Sequence, residues 1–201
     1  MLAQPDRKND AVLLEGLCAS TKVRGRQANL KRCAKKMKKS SQPQYIEQQN
    51  LIEIKDEGRS FQLHPDAFTA WKKMKDAART EGISLYIVSA FRSFERQSEI
   101  IEQKREKGVS EEDIFKVSAP PGSSEHHTGK AVDINTKGFP ALEEDFEKSE
   151  TFKWLSLNAK NFGFRLSYPK GNRFGMVYEP WHWFYDETTQ KAASLDLASA
   201  P

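Results

Sequence analysis

Beyond residue 44 the apolar positions fall into short runs fitting strands and longer periodic stretches fitting helices. Leu51-Ile-Glu-Ile54 and Phe61-Gln-Leu63 read as two short strands. His64-Pro65-Asp66 then opens a helix, because proline is tolerated in the first turn, where its missing N–H has no partner to lose. Phe68, Trp71, Met74 and Ala78 recur at helical spacing and mark a core-facing stripe, which Gly82 stops. The run Ile83 to Ala90, rich in β-branched and aromatic residues, predicts a buried strand ending at Phe91-Arg92-Ser93. A second helix starts there and runs toward Lys107-Gly108 with Phe94 and Ile101 inward.

Ala119-Pro-Pro-Gly-Ser123 excludes regular structure, since consecutive prolines fix φ and remove donors. In Ala131-Val-Asp-Ile134 a strand buries Val132 and Ile134 and aims Asp133 the opposite way, toward a cleft. A third helix is predicted from about Ser149 to Phe162, with Phe152, Leu155 and Ala159 inward and Gly163 at its end. The segment Glu179 to Tyr185 reads as a strand or turn at the sheet edge, because Pro180 cannot donate to a central ladder.

The 201 residues suit one domain with an appended arm. Residues 1–43 read as a basic arm and linker, and residues 44–201 as the chemical domain. The arm has weak helical patterns at Val12–Leu17 and Ala28–Met37, then the linker-like Ser40-Ser-Gln-Pro43. Of the 32 basic and 28 acidic residues, the first 40 positions hold 11 and 3, so the arm carries +8 and the remainder 21 − 25 = −4. Lys31, Arg32, Lys35, Lys36, Lys38 and Lys39 suit an anionic surface or nucleic acid, although a solvated, weakly ordered face is the simpler reading. No nucleic-acid motif accompanies them, so no nucleic-acid partner is expected. Cys18 and Cys33 both lie in the arm and fit either one bridge or two free thiols. No stretch reaches the ~20 apolar residues of a membrane span, and the N-terminus lacks the pattern of a secretory signal.

Two of the four histidines stand among other ligand-type residues. The run Ser123-Ser-Glu-His-His-Thr-Gly-Lys-Ala-Val-Asp-Ile134 contributes His126 and Asp133, and Glu179-Pro-Trp-His182 adds a carboxylate and an imidazole. Three protein ligands, an open position for water and a non-ligand carboxylate to manage protons are the inventory of a catalytic zinc site. The chain therefore reads as a metallohydrolase. No His-Glu-x-x-His occurs, so the ligands must converge from separate segments. His126 is preferred over His127 because neighbours on an extended segment point apart, leaving His127 to line the cleft or face solvent. Glu179 suits general base and then general acid work. Arg92, at a strand end with Gln97 a turn further on, offers a planar fork for a substrate carboxylate or an oxyanion. Trp181, Trp183 and Tyr185 read as core.

The elements Ser124-x-His126-x-x-Gly129-x-Ala131-x-Asp133, Glu179-Pro-Trp-His182 and Ser89-Ala-Phe-Arg-Ser93 with Gln97 resemble the motifs of VanY-type D-alanyl-D-alanine carboxypeptidases. That group of zinc peptidoglycan peptidases also includes LD-carboxypeptidases, D,D-dipeptidases and some phage endolysins, and the resemblance spans about Tyr45 to Asp186. It implies an α+β fold, a small antiparallel sheet flanked by helices, with Zn2+ held on the sheet by His126, Asp133 and His182. By the same resemblance Glu179 is the catalytic base and Arg92 stabilises charge on the substrate or transition state, while Ser124 and Gln97 touch the peptide end. The implied partner is a peptidoglycan stem peptide, with an anionic wall polymer a candidate partner of the basic arm, and the implied setting is periplasmic or secreted. Phe91, Met176 and Phe184 depart from the Tyr, Tyr and Arg that the family often has there. An L,D-carboxypeptidase or a peptidoglycan endopeptidase shares the same motifs, and a non-catalytic zinc-stabilised wall-binding module is the rival from another class.

Overall fold

The computed structural model describes residues 42–189. The basic cluster, both cysteines and the two helical patterns of the arm lie outside them. Strand β1 (Ile52–Asp56) folds back on β2 (Arg59–Leu63) as an antiparallel pair. The two-residue turn between them is Glu57-Gly58, with φ of 44° and 77°, the left-handed pair that a primed hairpin turn requires. Buried Asp56 accepts from the Ile87 N–H at 2.7 Å and pairs with Lys75, tying the hairpin to the rest of the domain.

Helix α1 (Pro65–Thr80) begins as its sequence dictates, with Pro65 in the first turn and the His64 side chain accepting from the Asp66 N–H. Its buried positions Ala67, Ala70, Trp71, Met74 and Ala78 follow the helical period. After it, the run from Ile83 yields a shorter strand than expected, β3 (Tyr86–Ser89). The Ile83 N–H closes the end of α1 on Ala78, and the Ser84 carbonyl accepts from the hydroxyls of Thr136 and Thr151. Those two residues therefore cross-link other elements instead of joining a ladder.

Helix α2 (Phe94–Glu106) is capped by Ser93, whose hydroxyl accepts from the Arg96 N–H. A short helix not anticipated from the pattern, α3 (Glu111–Val117), follows under a Ser110 cap and buries only Ile114. After the proline loop, Glu125–Thr128 forms a 3-10 turn and leads into β4 (Ala131–Asn135). Helix α4 (Glu150–Asn158), capped by Ser149, continues as a 3-10 turn to Phe162 and ends at Gly163 (φ 83°). Strands β5 (Phe164–Leu166) and β6 (His182–Tyr185) complete an antiparallel sheet in the order β3-β4-β6-β5.

The expected edge position of the Glu179–Tyr185 segment is thus corrected: β6 lies inside the sheet, between β4 and β5. Pro180 does not interrupt the ladder because it precedes the strand, in the turn where the His182 N–H bonds the Glu179 carbonyl. Val132 and Ile134 of β4 join Ile87, Phe164, Trp183, Leu155 and the buried face of α1 in one core cluster. Asp133, between them in sequence, faces the opposite side. Both faces of β4 are nonetheless buried.

Ahead of β1 an extended stretch lies along the motif turn. The Tyr45 and Gln48 N–H groups bond the carbonyls of Gly122 and His127 at 2.7 and 2.9 Å, and the Gln44 amide reaches the Ser123 hydroxyl. The hairpin approaches the same turn at Gly129, whose carbonyl accepts from the His64 N–H at 2.8 Å. A Cβ on Gly129 would stand 2.5 Å from Leu51 Cδ2 and 2.9 Å from the His64 nitrogen, and its φ is +64°. Gly129→Ala is therefore expected to destabilise the domain by about 2–4 kcal/mol, combining left-handed strain with overpacking. Gly108→Ala, at φ +77° but in open space, isolates the strain alone. Denaturant unfolding of both checks the comparison, and an equal cost at the two positions would refute the close-packing account.

Candidate active site

The register of the sheet assembles the site. Ser89 of β3 is paired with Asp133 of β4, and Asp133 with His182 of β6, so three polar side chains stand side by side across adjacent strands. His126 joins them from the 3-10 turn, its Nε2 3.3 Å from Asp133 Oδ2. His182 Nδ1 lies 3.0 Å from Asp133 Oδ1. One donor atom from each of His126, Asp133 and His182 falls within 4.8 Å of the others, and all three residues are buried.

Hydrogen bonds set the orientation of both imidazoles. His126 Nδ1 contacts the Ala90 carbonyl at 2.6 Å, and a carbonyl can only accept, so Nδ1 carries a proton and Nε2 is the ring nitrogen turned toward Asp133. His182 Nε2 meets Glu125 Oε2 at 3.0 Å, which leaves Nδ1 toward the cluster. Glu125 is a residue that the sequence reading did not single out. It is almost wholly buried, and Tyr45, Arg165 and Ser167 also donate to it. Its only sequence signal is adjacency to His126, because the tight turn that directs it toward His182 leaves no periodic trace. Tyr168 is a second such residue, with its ring centroid 4.8 Å from that of His182.

His127 was expected to line the cleft or meet solvent, and it does neither. The segment is a 3-10 turn and not an extended strand, so His127 turns inward and is fully buried. Its Nε2 accepts from the Gly122 N–H, its Nδ1 donates to the Arg92 carbonyl at 2.6 Å, and its ring meets Phe94 edge-on. It braces the proline loop against the start of α2. Trp183 and Tyr185 are buried in the core, with Trp181 packed against it.

Glu179 approaches the cluster without joining it, with Oε2 3.8 Å from His182 Nδ1. Burial raises its pKa to about 7, a shift opposed by His182 and reinforced by Asp133. Arg92 donates to Gln97 Oε1 at 2.9 Å and to Ser89 Oγ at 3.1 Å. Burial lowers the pKa of its guanidinium, while Asp133 and Glu179 raise it. Gln97 is buried with its amide engaged at both ends, by Arg92 and by the Ala119 carbonyl at 2.7 Å, so it orients Arg92. Ser124 is buried at the entry to the 3-10 turn, its carbonyl accepting from the His127 N–H.

Around Asp133 the electrostatics are those of a buried carboxylate flanked by two imidazoles. Burial of the Asp133 carboxyl is outweighed by His126 and His182, which depress its pKa. Burial of His182 is outweighed by its hydrogen bonds to Asp133 and Glu125, which lift its pKa to about 10. A raised folded-state pKa contributes stability that is complete below the unfolded value of about 6.5 and is lost as pH rises through the folded value. Raised Glu179 acts in the same sense, its contribution fading from about pH 4.3 toward 7. Metal-free protein is thus expected to lose stability between about pH 6.5 and 10, and His182→Gln to flatten that slope. Urea midpoints across this range, followed by tryptophan fluorescence, check it; a wild-type midpoint that is level or rising would refute the assignment.

A family model, VanY: D-alanyl-D-alanine carboxypeptidase, matches residues 60–188. A D-alanyl-D-alanine carboxypeptidase of Enterococcus faecalis is 36% identical over 120 residues, 55% of this chain and 43% of that protein. The chain spans about half the length of the first curated relatives it matches, 49% and 43%. Among solved structures, the LdcB LD-carboxypeptidase is 36% identical with a TM-score of 0.63, covering 76% of this chain and 74% of its own. A vancomycin-resistance D,D-pentapeptidase VanY mutant in complex with Zn(II) is 29% identical, with a TM-score of 0.59 over 77% of this chain and 88% of its own. VanYB in complex with D-alanine-D-alanine is 27% identical, again at 0.59, over 82% and 95%. Matched over more than half its length, and with the His, Asp and His of its motifs gathered in one buried cluster, the chain belongs to the VanY D-alanyl-D-alanine carboxypeptidase family.

Proposed function

We propose that this domain is a zinc-dependent carboxypeptidase that removes the terminal D-alanine from peptidoglycan stem peptides. The observation that carries this reading is the convergence of His126, Asp133 and His182 beside a separate, buried carboxyl at Glu179. The donor set fits zinc: two imidazole nitrogens and one carboxylate oxygen, with the two ring orientations fixed from behind by Ala90 and Glu125. His126 Nε2 lies 3.3 Å from Asp133 Oδ2 and His182 Nδ1 3.0 Å from Asp133 Oδ1, and one donor atom from each residue falls within 4.8 Å of the others. When bound, zinc supplies Lewis acidity, bringing the pKa of a water toward ~7 and polarising the scissile carbonyl.

The remaining steps belong to the chain's own side chains. Glu179 takes a proton from the attacking water and returns it to the departing amine nitrogen as the C–N bond breaks. Its position beside His182 but outside the closest donor contacts suits a group that must exchange protons. Arg92, held at two nitrogens by Gln97 and Ser89, presents a charged fork to the free carboxylate of the stem or to the developing oxyanion. Ser124, at the entry to the motif turn, is assigned to the peptide end. The likeness to a relative solved with D-alanine-D-alanine supports a substrate of this class. Such a substrate implies an envelope setting, periplasmic or secreted; among the described residues no helix is long and apolar enough to cross a membrane.

The likeness to LdcB favours a second reading, in which the bond cut joins an L- to a D-residue. Synthetic stems separate the two. A D,D-enzyme releases one D-alanine from the pentapeptide, and an L,D-enzyme releases it from the tetrapeptide; mass spectrometry of the products reads the difference. With the preferred stem, Glu179→Gln is expected to lower kcat by about 10²–10⁴-fold while zinc content stays at the wild-type level. Chelation is expected to abolish turnover and added zinc to restore it. Full activity after exhaustive metal removal would end the zinc reading.

A further inference from the structure

The metal reading rests on two imidazoles being held in the right orientation, and the structure holds them by different means. His126 is oriented by a backbone carbonyl, which no substitution removes. His182 is oriented by a side chain, Glu125, which neighbours His126 in sequence. We propose that Glu125 is a positioning residue for the metal centre, fixing His182 with Nδ1 toward the metal and raising its donor strength from the far side of the ring. The inference rests on the proposed zinc site and adds to it a residue that neither coordinates the ion nor touches substrate.

Four donors meet the two oxygens of this carboxylate. Oε1 accepts from Arg165 Nη2 at 3.0 Å and the Tyr45 hydroxyl at 3.3 Å, and Oε2 from Ser167 Oγ at 2.5 Å and His182 Nε2 at 3.0 Å. A carboxylate offers about four acceptor positions, so all of them are used. With Arg165 beside it the group is an acceptor alone, and the proton between Glu125 and His182 belongs to Nε2. The donors come from separate parts of the chain: Tyr45 from the stretch before β1, Arg165 and the following Ser167 from the region of β5. Phe184 holds two of them, with the Arg165 guanidinium 4.8 Å above its ring and the Tyr45 ring centroid at 6.5 Å. A surface ion pair between Arg165 and Glu125 alone would need neither this burial nor the contact to His182, since Glu125 is 2% exposed.

A carboxylate behind a ligating imidazole increases ligand basicity and restricts ring rotation, and removing such a partner typically weakens metal binding by about 10–100-fold. Glu125→Gln keeps the volume but has one acceptor oxygen, so its NH2 must face either Arg165 or His182 Nε2–H, donor against donor. Zinc dissociation constants of full-length wild-type and Glu125→Gln protein, measured by competition with a chromophoric chelator, are expected to differ by about 10–100-fold. The visible spectrum of the cobalt-substituted protein is expected to change as well, because the His182 donor is altered. A purely structural role would instead lower the denaturation midpoint of the metal-free protein and leave both the zinc constant and the cobalt spectrum at wild-type values; that result overturns the proposal. Should Glu125→Gln fail to fold, Ser167→Ala withdraws one donor from the same oxygen. It is then expected to shift the zinc constant severalfold, and an unchanged constant counts against the proposal. A wild-type protein that binds no zinc removes the underlying site, whereas equal, tight binding by wild type and variant removes only the role of Glu125.

Discussion

The antiparallel pairing of β4 with β6 places Asp133 opposite His182, and the geometry of the site depends on that register. Side chains alternate along a strand, so a slip of one residue would carry Asp133 into the core and bring Val132 or Ile134 out toward the histidines. Packing guards against it: Val132, Ile134 and Trp183 all sit in the core, and a change of face would set apolar side chains among the polar groups of the site and drive the Asp133 carboxylate into apolar surroundings. The same alternation that gives the domain its core therefore fixes the separation between two of its three candidate ligands. His126 is then added by a turn anchored at both ends, its ring on the Ala90 carbonyl and its own carbonyl on the Arg92 N–H.

The parts of this architecture that sequence made legible are those with a local chemical or periodic cause. Pro65 after His64 marked a helix start, the Phe68–Trp71–Met74–Ala78 spacing marked its buried face, and Ser149 and Gly163 bounded a later helical stretch. The residue types at 126, 133, 179 and 182 suggested metal chemistry before any geometry was known. What escaped has a physical reason in each case. Pro180 argued for an edge, but it precedes β6, and β5, the neighbour that makes β6 internal, is three residues long, too short for alternation to register. α3 buries a single apolar residue, so only its Ser110 cap could have announced it. Glu125 was passed over and His127 misplaced because residues 125–128 form a 3-10 turn, in which neither the strand nor the α-helical period predicts side-chain direction.

Arg92 and Gln97 illustrate how a motif residue acts through another. The family resemblance implies that both meet the substrate; in the structure Gln97 is enclosed, with its carbonyl oxygen on Arg92 and its amide nitrogen on Ala119. It therefore sets the angle of the guanidinium and also anchors the start of the proline loop. His127 braces the same loop from the other side by accepting from Gly122. The Arg92 guanidinium is consequently held by a Gln97 that is itself buried and fixed at its other end.

The stretch from Gln44 to Gln48 has no regular structure of its own, but it clasps the loop carrying His126 through the Gly122 and His127 carbonyls and the Ser123 hydroxyl. A fragment trimmed to begin at the first strand would look complete by its helices and sheets. It would nonetheless strip acceptors beside the metal motif of their partners and uncover one edge of the Glu125 carboxylate. A fragment that keeps these contacts starts at or before Gln44, several residues upstream of the first strand.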